Sequence, residues 1–343
     1  MTDTRIAEPS RSRGVDVFGF VARFAPTLFL IALMALFAVI EPRFLSSINL
    51  FNVMRQVSIT GLLAIGMTFV ILTAGIDLSV GSLLAFAGLV AAAVAKGGLE
   101  NRFTVGEGIG YGWGLAAIAA IAVGLAGGYL QGLAITRLKV PPFVVTLGGM
   151  SAFRGAALLF AAGGPISGFE PSFTWWGQGK IGPVPIPVII FLAAAALAHI
   201  TLRYTRYGRQ VYAVGGNPEA ARRAGVSLPA IRTWCFVLSA VIAGIAGVLF
   251  ASWQVSLTTN IIKASNSYVL LAVAAAVIGG TSLFGGRGKT IHGVLGGLVI
   301  GGIYNGLYLL GVSSQWIDVA VAAVLLLAAL VDVLSRRGGQ GQA

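Results

Sequence analysis

Charge is what this sequence has least of: Asp, Glu, Lys and Arg make up 10 % of 343 residues, with 11 acidic side chains against 23 basic ones. A soluble globule carries about 25 % charged residues, so this chain has too little polar surface to face water on all sides. The single cysteine, Cys235, excludes an intrachain disulfide, and its place in an apolar run points to packing. The two histidines, His199 and His292, stand far apart without Cys, Asp or Glu at ligand spacing, which speaks against a metal site. Segments of about ten residues alternating in polarity are missing, which excludes a transmembrane β-barrel. Also missing is a paired nucleophile and base, which argues against an intramembrane enzyme.

What the chain does have is apolar length. It is 57 % hydrophobic with a mean hydropathy of +0.90, and a bilayer core of about 30 Å asks for about 20 apolar residues per helix. The expected fold class is an all-α polytopic membrane helix bundle. Its candidate spans are Phe24 to Ile40, Val57 to Gly75, Leu78 to Ala95, Gly112 to Ile135, Phe143 to Ala162, Pro185 to Leu202, Thr233 to Trp253, Tyr268 to Phe284, Ile291 to Val312 and Trp316 to Leu334. Two junctions leave eight or nine full spans open beside the count of ten. Gly75 to Ser82 is rich in polar residues, and Val140-Pro141-Pro142-Phe143 cannot sustain a regular helix; broken or re-entrant helices fit either.

The net charge of +12 lies scattered between apolar runs and forms no stripe, so no nucleic-acid partner is expected. Orientation explains it. With the N-terminus inside, cytosolic segments hold Arg5, Arg11, Arg13 and Arg23, Arg137 and Lys139, six arginines from Arg203 to Arg232, Arg287 and Lys289, and Arg336 and Arg337. Outer segments hold Arg43, Arg55, Lys96, Arg102, Lys180 and Lys263, so the positive-inside bias sets both termini in the cytosol. The domain expectation is a cytosolic tail at 1–23 without a signal-peptide cleavage pattern, a membrane domain at 24–334 with a cytosolic loop at 203–232, and a cytosolic tail at 335–343.

Small residues recur at four-residue spacing in Gly293, Gly297 and Gly301, in Gly302 and Gly306, and in Gly124 and Gly128, which predicts close helix contacts. Trp113, Trp175, Trp176, Trp253 and Trp316 fall near outer span ends, where amphipathic rings favour the interface.

The loop 203–232 reads as loop, short helix, stop. Asn217 suits an N-cap, Pro218 the first helical position, Glu219 the positive end of the dipole, and Gly225 the left-handed residue that closes a helix. Within the membrane, Asp77 is the carboxylate that asks for a reason. With Ser79 it can cap the helix starting near Leu78, or it can serve a pathway or gate, in the company of Ser82. Arg154 and Asp318 are opposite charges able to pair or line a polar path. Asn305, Gln131, Tyr304 and Tyr308 can bond a sugar hydroxyl or bond across helices. The stretch Gly285-Gly286-Arg287-Gly288-Lys289-Thr290 ends like a phosphate loop, but its first glycine would fall on Leu283, so nucleotide binding is not expected there.

Glu219-Ala220-Ala221, three residues, then Gly225 resembles the EAA motif of permeases in binding-protein-dependent ATP-binding cassette importers, although Leu228-Pro229 follows sooner than in the usual motif. Three further stretches resemble the ribose and xylose permease family: Gly66 to Ser82, Tyr207-Gly208-Arg209 through Gly225, and Ile278-Gly279-Gly280-Thr281-Ser282-Leu283 with Gly285-Gly286. Val140 to Gly155 looks closer to xylose-type members, while the long central insertion of some xylose permeases is missing.

The resemblance implies a bacterial inner-membrane permease for a pentose such as xylose or ribose, working as a homodimer or with a related permease. It implies as partners a cassette ATPase that holds ATP-Mg and an extracytoplasmic sugar-binding protein. The chain itself would bind no cofactor and catalyse nothing. Asn217, Pro218, Glu219, Ala220, Ala221 and Gly225 would grip the ATPase; Asp77, Ser79, Ser82, Arg154 and Asn305 are candidates for the translocation path or its gate. An ion-gradient-driven secondary transporter is the alternative, one that would place carboxylates or broken-helix carbonyls at midplane.

Overall fold

Long apolar runs punctuated by caps and glycines dictate a helical chain. A computed structural model describes residues 17–98, 110–161, 164–254, 256–257 and 260–340. Among them, the helices are α1 (Val17–Ile40), α2 (Ser47–Leu72), α3 (Val80–Ala95), α4 (Gly112–Thr136), α5 (Pro142–Ala161), α6 (Pro171–Gln178), α7 (Ile186–Tyr204), α8 (Arg206–Gly216), α9 (Pro218–Arg223), α10 (Leu228–Trp253), α11 (Asn260–Ile278), α12 (Thr290–Leu309) and α13 (Ser314–Gln340). Two-residue strands make only clips: β1 (Ile166–Ser167) pairs with β4 (Ser256–Leu257), and β2 (Lys180–Ile181) with β3 (Val184–Pro185), both antiparallel.

Local chemistry sets many of the boundaries. Ser46 Oγ accepts the Asn49 amide at the head of α2, and Thr205 Oγ1 accepts the Gly208 amide at the head of α8. Six helices are long and apolar enough to cross a membrane: α2, α4, α5, α7, α10 and α12. The stretches Pro26–Ile40, Val80–Ala95, Ser265–Ile278 and Ser314–Leu330 are shorter and apolar. The protein is an all-α polytopic membrane bundle, and each of the ten expected runs falls on one of these helices.

The centre is α2, buried without a break from Val57 to Leu72 and packed against α10, α12, α11 and α7. Beside it, α3 packs on α10, α4 and α5. Small residues bring these axes together as expected: a Cβ on Gly128 of α4 would lie 2.6 Å from the Ala240 Cβ of α10, and Gly293 and Gly297 of α12 face Ala64 and Gly61 of α2.

The connections gather at two ends. One end joins the α2–α3 break, the turn after α4, α8 and α9, and the α11–α12 turn. The opposite end joins the start of α2, the end of α3 and the segment around α6: Arg55 donates to the Gln178 carbonyl at 3.3 Å, and the buried Lys96 ammonium donates to the Gly168 carbonyl at 2.9 Å. Trp113, Trp175 and Trp176 cluster at that end, with the Trp113 and Trp176 rings 4.4 Å apart.

The structure amends several expectations. The segment 203–232 is mostly helical, because Thr205, Asn217 and Pro229 each start a helix within it. Residues 335–340, within the expected C-terminal tail, continue α13. The first helix extends back to Val17, inside the expected tail. Arg5, Arg11, Arg13 and Arg102 lie outside the described residues, as do 1–16 and 341–343.

Candidate functional site

The candidate site has an exposed part and a buried part. In the exposed part, Asn217 Oδ1 accepts the Ala220 amide at 3.0 Å, Pro218 opens α9, and Glu219 pairs with Arg222 at 3.0 Å and Arg223 at 3.2 Å. Gly225 follows at φ +80, where a side chain would be strained. Only Ala221 of the six-residue helix is buried; Glu219, Ala220, Arg222 and Arg223 face outward. The result is a charged stub held rigid by its own cap.

In the buried part, α2 stops at Leu72 and the chain turns back through Ala74, which takes φ +59, before α3 starts at Val80. Asp77 lies fully buried in this break. Its Oδ1 accepts the Ser79 amide at 2.9 Å and the Ser79 hydroxyl at 2.6 Å, and its Oδ2 accepts the Ser239 hydroxyl of α10 at 3.4 Å. Ser79 Oγ in turn accepts from Gln131 Nε2 of α4 at 2.9 Å. The capping work therefore falls to Asp77, whereas the Ser79 side chain caps no amide and instead reaches across to α4. One carboxylate ties the break to α10 directly and to α4 through Ser79.

Two buried polar atoms near this network, Ser82 Oγ and Gln131 Oε1, have no hydrogen-bond partner among the described residues.

The remaining candidates lie elsewhere. Asn305 exchanges hydrogen bonds with Asn49, 2.7 and 2.8 Å, joining α12 to α2. Arg154 points outward from α5, and Asp318 accepts from the Tyr304 hydroxyl, so the two charges do not pair. Tyr308 is exposed. The Thr290 end of the glycine-rich stretch opens α12, with the Lys289 amide donating to His292 Nδ1 at 3.2 Å.

What links the two parts is a backbone junction that no single stretch of sequence announces. Gly215, near the end of α8, abuts Leu72 so closely that a Cβ there would overlap the Leu72 carbonyl oxygen and lie 2.6 Å from the Gly286 nitrogen. The same Leu72 carbonyl accepts the Gly286 amide at 3.0 Å, and the Tyr212 hydroxyl donates to the Gly288 carbonyl at 2.8 Å. Burial raises the Tyr212 phenol pKa. Thus α8, the end of α2 and the α11–α12 turn are held together. The glycines at 215, 285 and 286 were the available signal, but sequence spacing does not reveal which distant carbonyl they approach.

Comparison with known proteins gives a consistent picture. A family model described as the permease component of the branched-chain amino acid transport system matches residues 49–330. The ribose import permease protein RbsC of Bacillus subtilis is 38 % identical over 316 residues, covering 92 % of this chain and 94 % of the relative. Its namesake in Escherichia coli K12 is 40 % identical over 311 residues, 88 % of this chain and 91 % of the relative. The D-allose transport system permease protein AlsC of the same strain is 32 % identical over 333 residues, 96 % and 98 %. No solved structure matches the chain.

Proposed function

The chain belongs to the permease family of the branched-chain amino acid transport system, and from that premise we propose that it is the membrane subunit of an ATP-driven importer for a monosaccharide. A pentose such as ribose or xylose is the proposed cargo, and relatives named for ribose, at 38 and 40 % identity, favour ribose of the two. As a multi-pass inner-membrane protein it would contribute the passage, in ten crossings with both termini cytosolic, while a separate ATPase binds ATP-Mg and an external binding protein delivers sugar. Two copies, or one copy and a related permease, would enclose the path.

The observation that carries this reading is the rigid stub at Pro218–Arg223 standing beside the Gly215–Leu72–Gly286 junction. A push on α9 has two ways inward. Through α8 it meets Leu72 and the α11–α12 turn, where backbone touches backbone and no side chain can yield. Through Ala224 to Ser227 it enters α10, whose Ser239 holds Asp77. Both routes end on the α2–α3 break, so closing of an ATPase pair would shift the start of α3 against α4 and α10. Asp77, Ser79 and Ser82 would be moved by the stroke, and only a rearrangement of this kind would bring the buried oxygens of Ser82 and Gln131 within reach of a sugar hydroxyl.

The test is reconstitution. Proteoliposomes holding this permease and its cassette ATPase, supplied with binding protein, should take up labelled ribose or xylose only with internal ATP. Uptake driven by a proton or sodium gradient without the ATPase would overturn the proposal.

A further inference from the structure

At the α9 end, a cavity of about 270 Å³ opens between the end of α4, the following turn and the start of α10. Its lining is Ile135, Thr136, Lys139, Val140, Pro141, Pro142, Leu228, Pro229 and Arg232. Two cations and no carboxylate line it. The Arg232 Nε is buried without a hydrogen-bond partner among the described residues, and Lys139 is turned into place by a left-handed backbone at φ +56.

The helix ends around the cavity add to its polarity. Ser227 gives no side-chain cap to α10; Pro229 has no N–H and Ile231 donates to the Ser227 carbonyl at 3.1 Å, which leaves the Leu228 and Ala230 amides at the helix head without a side-chain acceptor. Two carbonyls in the last turn of α4 are engaged: Leu133 accepts from Arg137 at 2.7 Å, and Ala134 accepts from Val140 at 3.3 Å. An anion entering here meets donors.

The surroundings say what kind of anion. Leu138 is 73 % exposed, Phe143 58 %, Val144 53 % and Trp234 54 %, and all four lie within two positions of a lining residue. Cationic lining next to exposed apolar side chains, at the membrane-facing edge of a helix bundle, matches an amphiphile with an anionic head. We propose that this cavity binds the phosphate of an anionic phospholipid between Lys139 and Arg232, with the acyl chains lying along Leu138, Phe143, Val144 and Trp234. The lipid would bridge α4 to the first turn of α10, the helix that leaves the coupling stub. The proposal uses only the membrane embedding and not the identity of the cargo.

Purified full-length protein in maltoside micelles provides the test, with phosphatidylglycerol, phosphatidylcholine or inorganic phosphate added and the melting temperature recorded. Phosphatidylglycerol should raise melting in a saturable, salt-sensitive way, and phosphatidylcholine and inorganic phosphate should not. In Lys139→Gln with Arg232→Gln the apparent affinity for phosphatidylglycerol should fall about thirtyfold, each cation being worth about fivefold. Should that double variant not fold, Lys139→Glu, on an exposed side chain, should by itself remove the preference for the anionic lipid. Equal stabilisation by phosphatidylcholine, an equal response to inorganic phosphate alone, or an undiminished phosphatidylglycerol response in the folded variants would each overturn the proposal. None of these outcomes depends on sugar uptake, so the test can fail while the transport reading stands.

Discussion

The stub at α9 and the break around Asp77 solve opposite problems. In α9 the cap and the ion pairs all join residues within four positions of one another, on an exposed surface. In the break, a buried carboxylate takes two bonds from nearby Ser79 and then relies on α10, with α4 joined through Ser79. The polar groups of the stub are therefore met locally, with Ala221 alone seated in the core, while the break is defined by the bundle. A surface handle has to keep its shape under changing contact; a moving part inside has to feel its neighbours.

Variants that cut across this contrast should rank accordingly. The largest loss is expected for Gly215→Val, because the new side chain must displace backbone at Leu72. Overpacking of this kind costs about 3 kcal/mol, and melting in detergent and ATP-driven uptake should both collapse. Unchanged melting would mean that the junction is loose. Next comes Asp77→Ala, which strands the Ser79 amide and frees its hydroxyl inside the bundle at a cost of about 2 kcal/mol. Asp77→Asn, which keeps one carbonyl acceptor, should lose less, and equal melting of the two would show that the carboxylate caps nothing of consequence.

Removal of the cap in Asn217→Ala should cost about 1 kcal/mol, confined to α9. Hydrogen exchange should quicken at the Ala220 amide while the bundle melts as before; a global change would erase the independence of the stub. The smallest effect on stability belongs to Glu219→Gln, since exposed ion pairs contribute below about 1 kcal/mol. Its melting should match the parent while ATP-driven uptake falls, and normal uptake would remove Glu219 from the proposed coupling surface.

The same contrast explains what could be read in advance. Asn217, Pro218, Glu219 and Gly225 act through their immediate neighbours, so their spacing in the chain was enough to foresee a capped helix with a glycine stop. Asp77 was legible as a costly charge with a local partner in Ser79; its bond to Ser239 and the bond from Gln131 to Ser79 were not predictable, since nothing in the sequence orients α10 or α4 about its axis. Helix faces are the hidden variable in lipid. By hydropathy α2 and α5 are equal, yet 89 % of the most apolar stretch of α2 is buried inside the protein and only 11 % of that of α5. Lipid and protein interior are alike to an apolar side chain, so the amphipathic stripe that orients a helix in water is missing. That is why the sequence left Arg154 able to pair with Asp318 or line a polar path, whereas it faces outward from α5.

The enclosure of α2 also bears on how the chain is made. Its sheath comes mainly from α7, α10, α11 and α12, all of which follow it in the sequence, and α10 begins roughly 150 residues after α2 ends, some ten to thirty seconds of translation. For that interval the polar groups of Thr60 and Thr68 and the glycines at 61 and 66 meet lipid or the insertion machinery instead of their eventual neighbours. The central shaft of the transporter is thus a latecomer to its own environment, and the ribosome's pace determines how long it waits.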